Sequence, residues 1–141
     1  MANTINKNIN SGLLKFTFTD SDGDVFAYFK MNPADARLAA RCSEVSEFFD
    51  KKETEAGSFE TVEELAKYSD ELTEKIDYIL GYKASETLFG ELMSPVTILP
   101  NGDVFAFVVL EAIGEAVGRE IHKRKLKMQK AASKYTNKYT K

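Results

Sequence analysis

The part of the chain that most limits its fold lies between residues 104 and 130, where an apolar stretch passes into a basic one with no proline to interrupt a helix. Over residues 104–121 the apolar side chains recur every three or four positions, the period of one helix face. They are Ala106, Phe107, Val109, Leu110, Ile113, Val117 and Ile121. Residues 122–130 then hold five lysine or arginine side chains and no acidic one. We therefore expect one long helix whose first half anchors the hydrophobic core, and a basic C-terminal tail over residues 122–141 that projects beyond it.

The charges of the chain divide near the same place. The net charge is −3, but residues 1–118 hold ten basic and twenty-one acidic side chains, a balance of −11, whereas residues 119–141 hold nine basic and one acidic, a balance of +8. An acidic body with a basic end indicates a surface for a charged partner. Three roles stay open for this end: holding a phosphate backbone, with Tyr135 and Tyr139 stacking on bases, contacting an acidic protein, or keeping a helix end solvated.

Length and composition predict a single domain spanning residues 1–141. A chain of 141 residues with 43% hydrophobic and 29% charged side chains lies within the normal range of globular proteins. The longest unbroken apolar run, 104–110, is far shorter than the ~20 residues of a membrane-spanning helix. The polar N-terminus lacks the pattern of a secretory signal. We therefore expect a cytoplasmic protein that does not enter a membrane.

Residues 14–30 predict a β-hairpin. Two stretches rich in strand-forming side chains, 14–19 and 25–29, flank a turn-forming run of aspartate, serine and glycine. The three aspartates of that turn would begin an EF-hand calcium loop, but the loop needs Gly and Glu where Val25 and Met31 stand. An isolated hairpin is marginal in water, so we expect its phenylalanines to pack on helices.

Residues 33–121 predict a core of about four helices, which with the hairpin makes an α+β fold, mainly α. Asn32 and Pro33 are typical of a helix N-terminus, so the first helix is predicted over 33–51 with Asn32 as its N-cap. A mobile loop is predicted over 51–58. The side chains predicted to line the buried face of the first helix are Leu38, Cys42, Val45 and Phe49.

A second helix is predicted from residue 62 to Leu80. Thr61 and Glu64 form a capping box at its start, and Gly81 follows as its C-cap. Its apolar face is too short to favour a coiled-coil dimer over packing within the monomer. That face consists of Val62, Leu65, Ser69, Leu72, Ile76 and Ile79.

Two further helices and two glycines complete the predicted core. Ser85 is predicted to cap a short third helix, and Asp103 to cap the last one after a turn. Gly114 and Gly118 lie inside that last helix, where each costs about 1 kcal/mol relative to alanine. Close approach of another helix or of the hairpin would offset this cost, and so would a docking groove for a partner helix.

Few residues of the chain support catalytic chemistry. His122 is the only histidine and stands in the basic segment, Cys42 is the only cysteine, and no phosphate-binding glycine loop is present. The acidic pairs at 63–64 and 70–71 fall on the predicted solvent face of the second helix. We predict a protein that is not an enzyme and that has no catalytic, metal-binding or cofactor-binding residues.

The order of these features resembles the small tail assembly chaperones of long-tailed bacteriophages and Gram-positive prophages. The resemblance runs from about residue 14 to the end of the chain, through the hairpin, an acidic middle helix and an apolar final helix. Its short matching stretches are FKMNP at 29–33, IDYILG at 76–81, SETLFG at 85–90, NGD at 101–103 and KYTNKYT at 134–140.

The resemblance implies a non-catalytic protein that binds the tape-measure protein and keeps it soluble until tail-tube subunits polymerise around it in the bacterial cytoplasm. Self-association is compatible with that role. The candidate contacts are apolar members of the final helix, together with the basic end as an electrostatic clasp. They are Phe105, Val108, Lys123, Arg124, Lys127, Lys130, Lys134 and Tyr135. The alternative is a small nucleic-acid-binding phage accessory protein that uses the basic helix.

Overall fold

A computed structural model describes the backbone of residues 3–56 and 61–139 and, within these, the side chains of 3–55 and 61–130. The fold is α+β and mainly helical, as predicted. In chain order its elements are β1 (Leu14–Thr19), β2 (Val25–Met31), α1 (Ala36–Ala56), α2 (Val62–Ala66), α3 (Ser69–Leu80), α4 (Ser85–Leu88) and α5 (Phe105–Tyr139).

The predicted hairpin is confirmed. β1 and β2 pair antiparallel with Phe16 opposite Phe29, and the ladder shifts by one residue after Phe18. The turn closes with the Asp20 amide donating to the Asp24 carbonyl at 2.9 Å, and Gly23 takes the left-handed conformation that this turn requires. The aspartates therefore belong to a hairpin turn.

The hairpin packs its aromatic face against the start of α5. The Phe105 ring lies 5.5 Å from that of Phe18 at a right angle, 5.7 Å from Phe26, and 5.8 Å from Phe89 in the loop after α4. Phe29 is fully buried, and its ring stacks on that of Phe16 with the centroids 5.0 Å apart. These aromatic contacts give the marginal hairpin the partner it needs.

α1 begins three residues later than predicted. The Asn32 side chain accepts from the Ala34 amide at 3.1 Å and so forms a turn, whereas the Asp35 carboxylate accepts from the Arg37 amide at 2.9 Å and caps the helix. The Asn32 N-cap prediction is therefore wrong, because Pro33 lies in the turn before the helix. Hydrogen bonds from Arg37 also hold the pKa of the Asp35 carboxyl below its usual value.

α1 also continues past its predicted end. Residues 51–56 are helical and not a loop, while 57 and 58 of the predicted loop lie outside the described residues. Lys52 supplies the reason: its ammonium lies 4.0 Å from the centroid of the Tyr68 ring and 3.8 Å from a Glu71 carboxylate oxygen. These contacts hold the last turns of α1 against the region between α2 and α3.

The second predicted helix is two helices. The Thr61 hydroxyl accepts from the Glu64 amide at 3.4 Å, which supports the predicted start, but the helix breaks between α2 and α3 around Tyr68. Leu65 is buried, whereas Val62 is exposed and does not join the predicted face. α3 ends at Gly81, whose left-handed conformation confirms the predicted C-cap.

Two predicted caps are replaced by groups distant in sequence. The Asp77 carboxylate accepts from both the amide and the hydroxyl of Ser85, at 2.8 and 2.6 Å, so Asp77 caps α4 and Ser85 does not. At the start of α5 the Phe105 amide donates to the Thr97 carbonyl and the Ala106 amide to the Pro95 carbonyl, both at 2.9 Å. The Asp103 carboxylate instead accepts from the Asn101 amide group.

α5 runs without a break through both halves of the predicted long helix. Its first half enters a core that is shared by the hairpin and by α1, α3 and α4. Among the side chains that the structure describes, the largest fully buried ones are Phe29, Phe105, Leu72, Ile76, Ile79, Leu88, Ile113, Val109 and Pro33. Residues 122–130 are exposed throughout, as predicted. In the part of the chain that the structure describes, no helix combines the length and apolar character needed to cross a bilayer.

Candidate functional site

A groove of about 650 Å³ runs between α1 and the first half of α5. We call it the α1–α5 groove. α1 forms one wall, α5 and the turn before it form the other, and Ile79 of α3 closes the bottom. The volume falls within the ~300–1,000 Å³ of clefts that bind ligands and side chains.

The floor of the groove is apolar. α1 contributes Phe49. The first two turns of α5 contribute Phe107, Val108 and Leu110, which share one side of the helix because residues three or four apart lie on the same face. The apolar lining residues are Phe49, Ile79, Val104, Phe107, Val108 and Leu110. Phe107, Val108 and Leu110 remain partly accessible, so part of this floor faces solvent.

The rim of the groove is acidic. Asp50 and Glu53 border it on α1, and Asp103 and Glu111 border it on the α5 side, all four exposed. Among the described residues that line the groove there is no lysine or arginine. The groove therefore combines an apolar surface with four negative charges, which suits an amphipathic segment with basic side chains along its edges.

Cys42, which the sequence predicts on the buried face of the first helix, packs against the core but is only partly buried, and it lies in the wall of the groove. Desolvation raises the pKa of its thiol above the ordinary value, because the thiolate is disfavoured in an apolar setting. The thiol form, a small hydrophobe, contributes to the apolar surface.

Gly114 lies at the end of the groove, and Gly118 lies one turn further along the same face of α5. A β-carbon at either position would have no non-neighbouring atom within 4 Å. The expectation that another helix or the hairpin approaches these glycines within the described chain is therefore wrong. Among the described residues, no packing contact offsets the helix-destabilising cost of these two glycines.

The structure divides the predicted contact residues on α5. Phe105 is only 1% exposed and lies in the aromatic cluster under the hairpin, so its prediction as an exposed contact is wrong. The reason is the hairpin, which covers the face of α5 that Phe105 presents. Val108, one turn further, lines the groove.

The basic contact residues lie beyond the core. Lys123, Arg124, Lys127 and Lys130 are exposed on the second half of α5. Arg124 pairs with Glu120 at 3.4 Å, and its guanidinium lies so near Gly12 that a β-carbon there would come within 3.0 Å of it. The other candidates, Lys134 and Tyr135, lie outside the residues whose side chains are described.

The contact residues predicted from the sequence include none from the α1 side of the groove. Its acidic wall, Asp50 and Glu53, falls where α1 was predicted to end, so no helical face was extended through it. Phe49 was predicted to be buried, but nothing in its spacing indicated that Val108 would stand across from it. A helix continued through residue 56 would have placed the acidic pair along the edge of the apolar face.

No group of three or more histidine, cysteine, aspartate or glutamate side chains within the described residues is arranged to hold a metal ion. The groove offers a bound molecule apolar surface, negative charge at the rim and open backbone at Gly114 and Gly118.

Comparison of the chain with protein-family models, with curated proteins and with solved structures gave no match.

Proposed function

We propose that this chain is a non-catalytic tail assembly chaperone of a bacteriophage or prophage, which binds an amphipathic helical segment of the tape-measure protein in the α1–α5 groove. The observation that carries the binding site is the groove itself: an apolar floor left open to solvent, bordered by Asp50, Glu53, Asp103 and Glu111. The class of client comes from the resemblance in the order of sequence features.

The shape of the groove favours a helix as the bound segment. Its walls are two helices, and a third helix can lay an apolar face between them as in other helix-in-groove complexes. Gly114 and Gly118 permit the backbone of that helix to come close, since no β-carbon projects from α5 there. The acidic rim then selects a segment whose apolar face is flanked by lysine or arginine.

Co-expression with fragments of the tape-measure protein tests the proposal. The wild-type chain is expected to keep such fragments soluble and to co-purify with them. Val108→Asp places a charge on the apolar floor and is expected to abolish co-purification, because an unpaired carboxylate would be desolvated by the bound helix. Leu92→Asp is the matched control, since Leu92 is 95% exposed and lies outside the groove lining.

Two results would contradict the proposal. One is failure of the folded wild-type chain to bind or solubilise any tape-measure fragment. The other is unchanged binding by a Val108→Asp variant whose thermal melt stays cooperative, because that would place the client elsewhere.

A second candidate function, nucleic-acid binding, draws on the exposed lysines and arginine at 123, 124, 127 and 130. Binding to phosphates would weaken steeply as salt rises. Titration of labelled DNA or RNA at about 50 mM and about 200 mM salt distinguishes the two functions. The chaperone proposal expects no such affinity, whereas the second candidate requires affinity that is lost when these side chains are changed to glutamine.

A further inference from the structure

The second half of α5 has the charge and shape that the α1–α5 groove requires. We infer that, without a client, residues 122–130 of one copy dock in the α1–α5 groove of a second copy, and that the second copy returns the same contact. This inference goes beyond client binding and needs no client.

Charge complementarity is the first argument. The rim carries four exposed carboxylates, and the second half of α5 carries five exposed lysine or arginine side chains. The chain thus presents both an acidic-rimmed groove and a basic helix on its surface. Opposite charges on two surfaces of one protein favour association of its copies over separation at low salt.

The face around Leu126 supplies the apolar contact. Leu126 is an apolar side chain on the part of α5 beyond the core, and it is 48% exposed. Lys123 precedes it by three positions and Lys130 follows it by four, so all three side chains share one face of α5. With Leu126 on the apolar floor, the two ammonium groups reach toward opposite ends of the acidic rim.

Geometry requires that the two partners come from different copies. α5 is continuous, and Leu126 lies twelve residues beyond Gly114, the last groove-lining residue. At 1.5 Å per residue that is about 18 Å along a straight helix, directed away from the groove. A helix cannot fold back onto its own first half without breaking, so only a second copy can donate the basic segment.

Reciprocal exchange gives a symmetric dimer. If each groove receives the basic half of the other copy's α5, the same surface is used twice and the assembly closes on a two-fold axis. Gly114 lies at the end of the groove where the incoming helix enters and Gly118 lies one turn beyond it, and both permit close approach of the two α5 backbones. Their cost to the isolated helix is then offset in the dimer.

The test uses the full chain without client. Sedimentation velocity over a range of protein concentrations is expected to show a monomer–dimer equilibrium that weakens as NaCl rises. The groove variant Glu53→Lys/Glu111→Lys and the tail variant Lys123→Glu/Lys130→Glu are each expected to raise the dimer Kd by roughly tenfold or more. The first brings the charge balance of the four-carboxylate rim to zero, and the second lowers that of residues 122–130 from +5 to +1, so attraction is reduced in both contacts. Glu47→Lys, on the same helix as Glu53 but outside the groove lining, is the matched control and should leave the Kd unchanged.

A mixture of the groove variant and the tail variant tests directly whether groove and tail contact each other. In the mixed dimer one contact pairs an unchanged acidic groove with an unchanged basic tail. The other contact sets the new lysines of the groove opposite the new glutamates of the tail, so a heterodimer is expected to form. The inference is overturned if the wild-type chain stays monomeric at low salt. It is equally overturned if its dimer survives both reversals, or if the mixture does not associate. All substituted positions are exposed, and a cooperative melt of each variant confirms that it is folded.

The outcome is separable from that of the proposed function. A chain that binds tape-measure fragments but never dimerises keeps the chaperone proposal and removes this one. A chain that dimerises through groove and tail but ignores such fragments does the reverse.

Discussion

The two halves of α5 share one backbone and have different surroundings. Over residues 105–121 the helix contributes Phe105, Val109 and Ile113 to the centre of the core. Over residues 122–130 every side chain is exposed. The comparison shows that helical continuity does not require continuous packing.

The second half must therefore be helical for local reasons. Lysine, arginine, leucine, methionine and glutamine, which make up 123–130, are all strong helix formers. Like charges four residues apart, such as Lys123 and Lys127, oppose this by a few tenths of a kcal/mol, about 0.2–0.5 per pair. Propensity is sufficient for a helix that grows from a packed one, because the costly nucleation step has already occurred.

The largest expected effect contrasts one aliphatic truncation in each half. Ile113→Ala removes a side chain that is 0% exposed and should lower the free energy of unfolding by about 2–5 kcal/mol, from lost burial and the cavity that remains. Leu126→Ala, its matched control on the same helix, should change it by less than about 0.5 kcal/mol, because Leu126 has no core contacts to lose. Urea denaturation at low protein concentration measures both.

A destabilisation by Leu126→Ala comparable to that of Ile113→Ala would contradict the difference in packing between the two halves of α5. It would mean that the second half of α5 packs against the body of the same chain.

A change of intermediate size in the free energy of unfolding is expected from substitution of Gly114 and Gly118 in α5. Gly114→Ala and Gly118→Ala should each raise the free energy of unfolding of the monomer by about 0.8–1.0 kcal/mol, since alanine favours the helix and its β-carbon meets nothing within 4 Å. Gly102→Ala is the control of opposite sign, because Gly102 has φ of 91° in the turn before α5. Thermal melts of the three variants provide the measurement. A loss of stability at Gly114 would show that the free monomer already brings something against that face.

The smallest effect is expected from removal of the basic end. Deletion of residues 122–141 should leave a cooperative melt and change the free energy of unfolding by less than about 0.5 kcal/mol, because the side chains of 122–130 are exposed and the Arg124–Glu120 pair is a surface ion pair. Circular dichroism should show lower helix content and an unchanged transition. Loss of cooperative melting would place the boundary of the core beyond Ile121.

Much of the fold was predictable because it rests on local patterns. Alternation in β1 and β2 and the turn between them predicted the hairpin, and Gly81 predicted the end of α3. The candidate site was half predictable. Val108 and the basic side chains lie on one helix whose period can be recognised in the sequence. Glu53, by contrast, borders the groove because α1 continues past its predicted end.

The hairpin, the helical segments and the division of α5 into an apolar and a basic half can be read from the chain alone, since each depends on the spacing of side chains along a short stretch. The ends of the helices and the surfaces that stay open depend on how the chain packs in three dimensions. Asp77 caps α4, the Pro95 and Thr97 carbonyls cap α5, and Lys52 extends α1 toward Tyr68. The physical reason is that a backbone amide or an ammonium group is stabilised by whichever acceptor or ring lies nearest in space. Chain packing, and not sequence proximity, sets that neighbour.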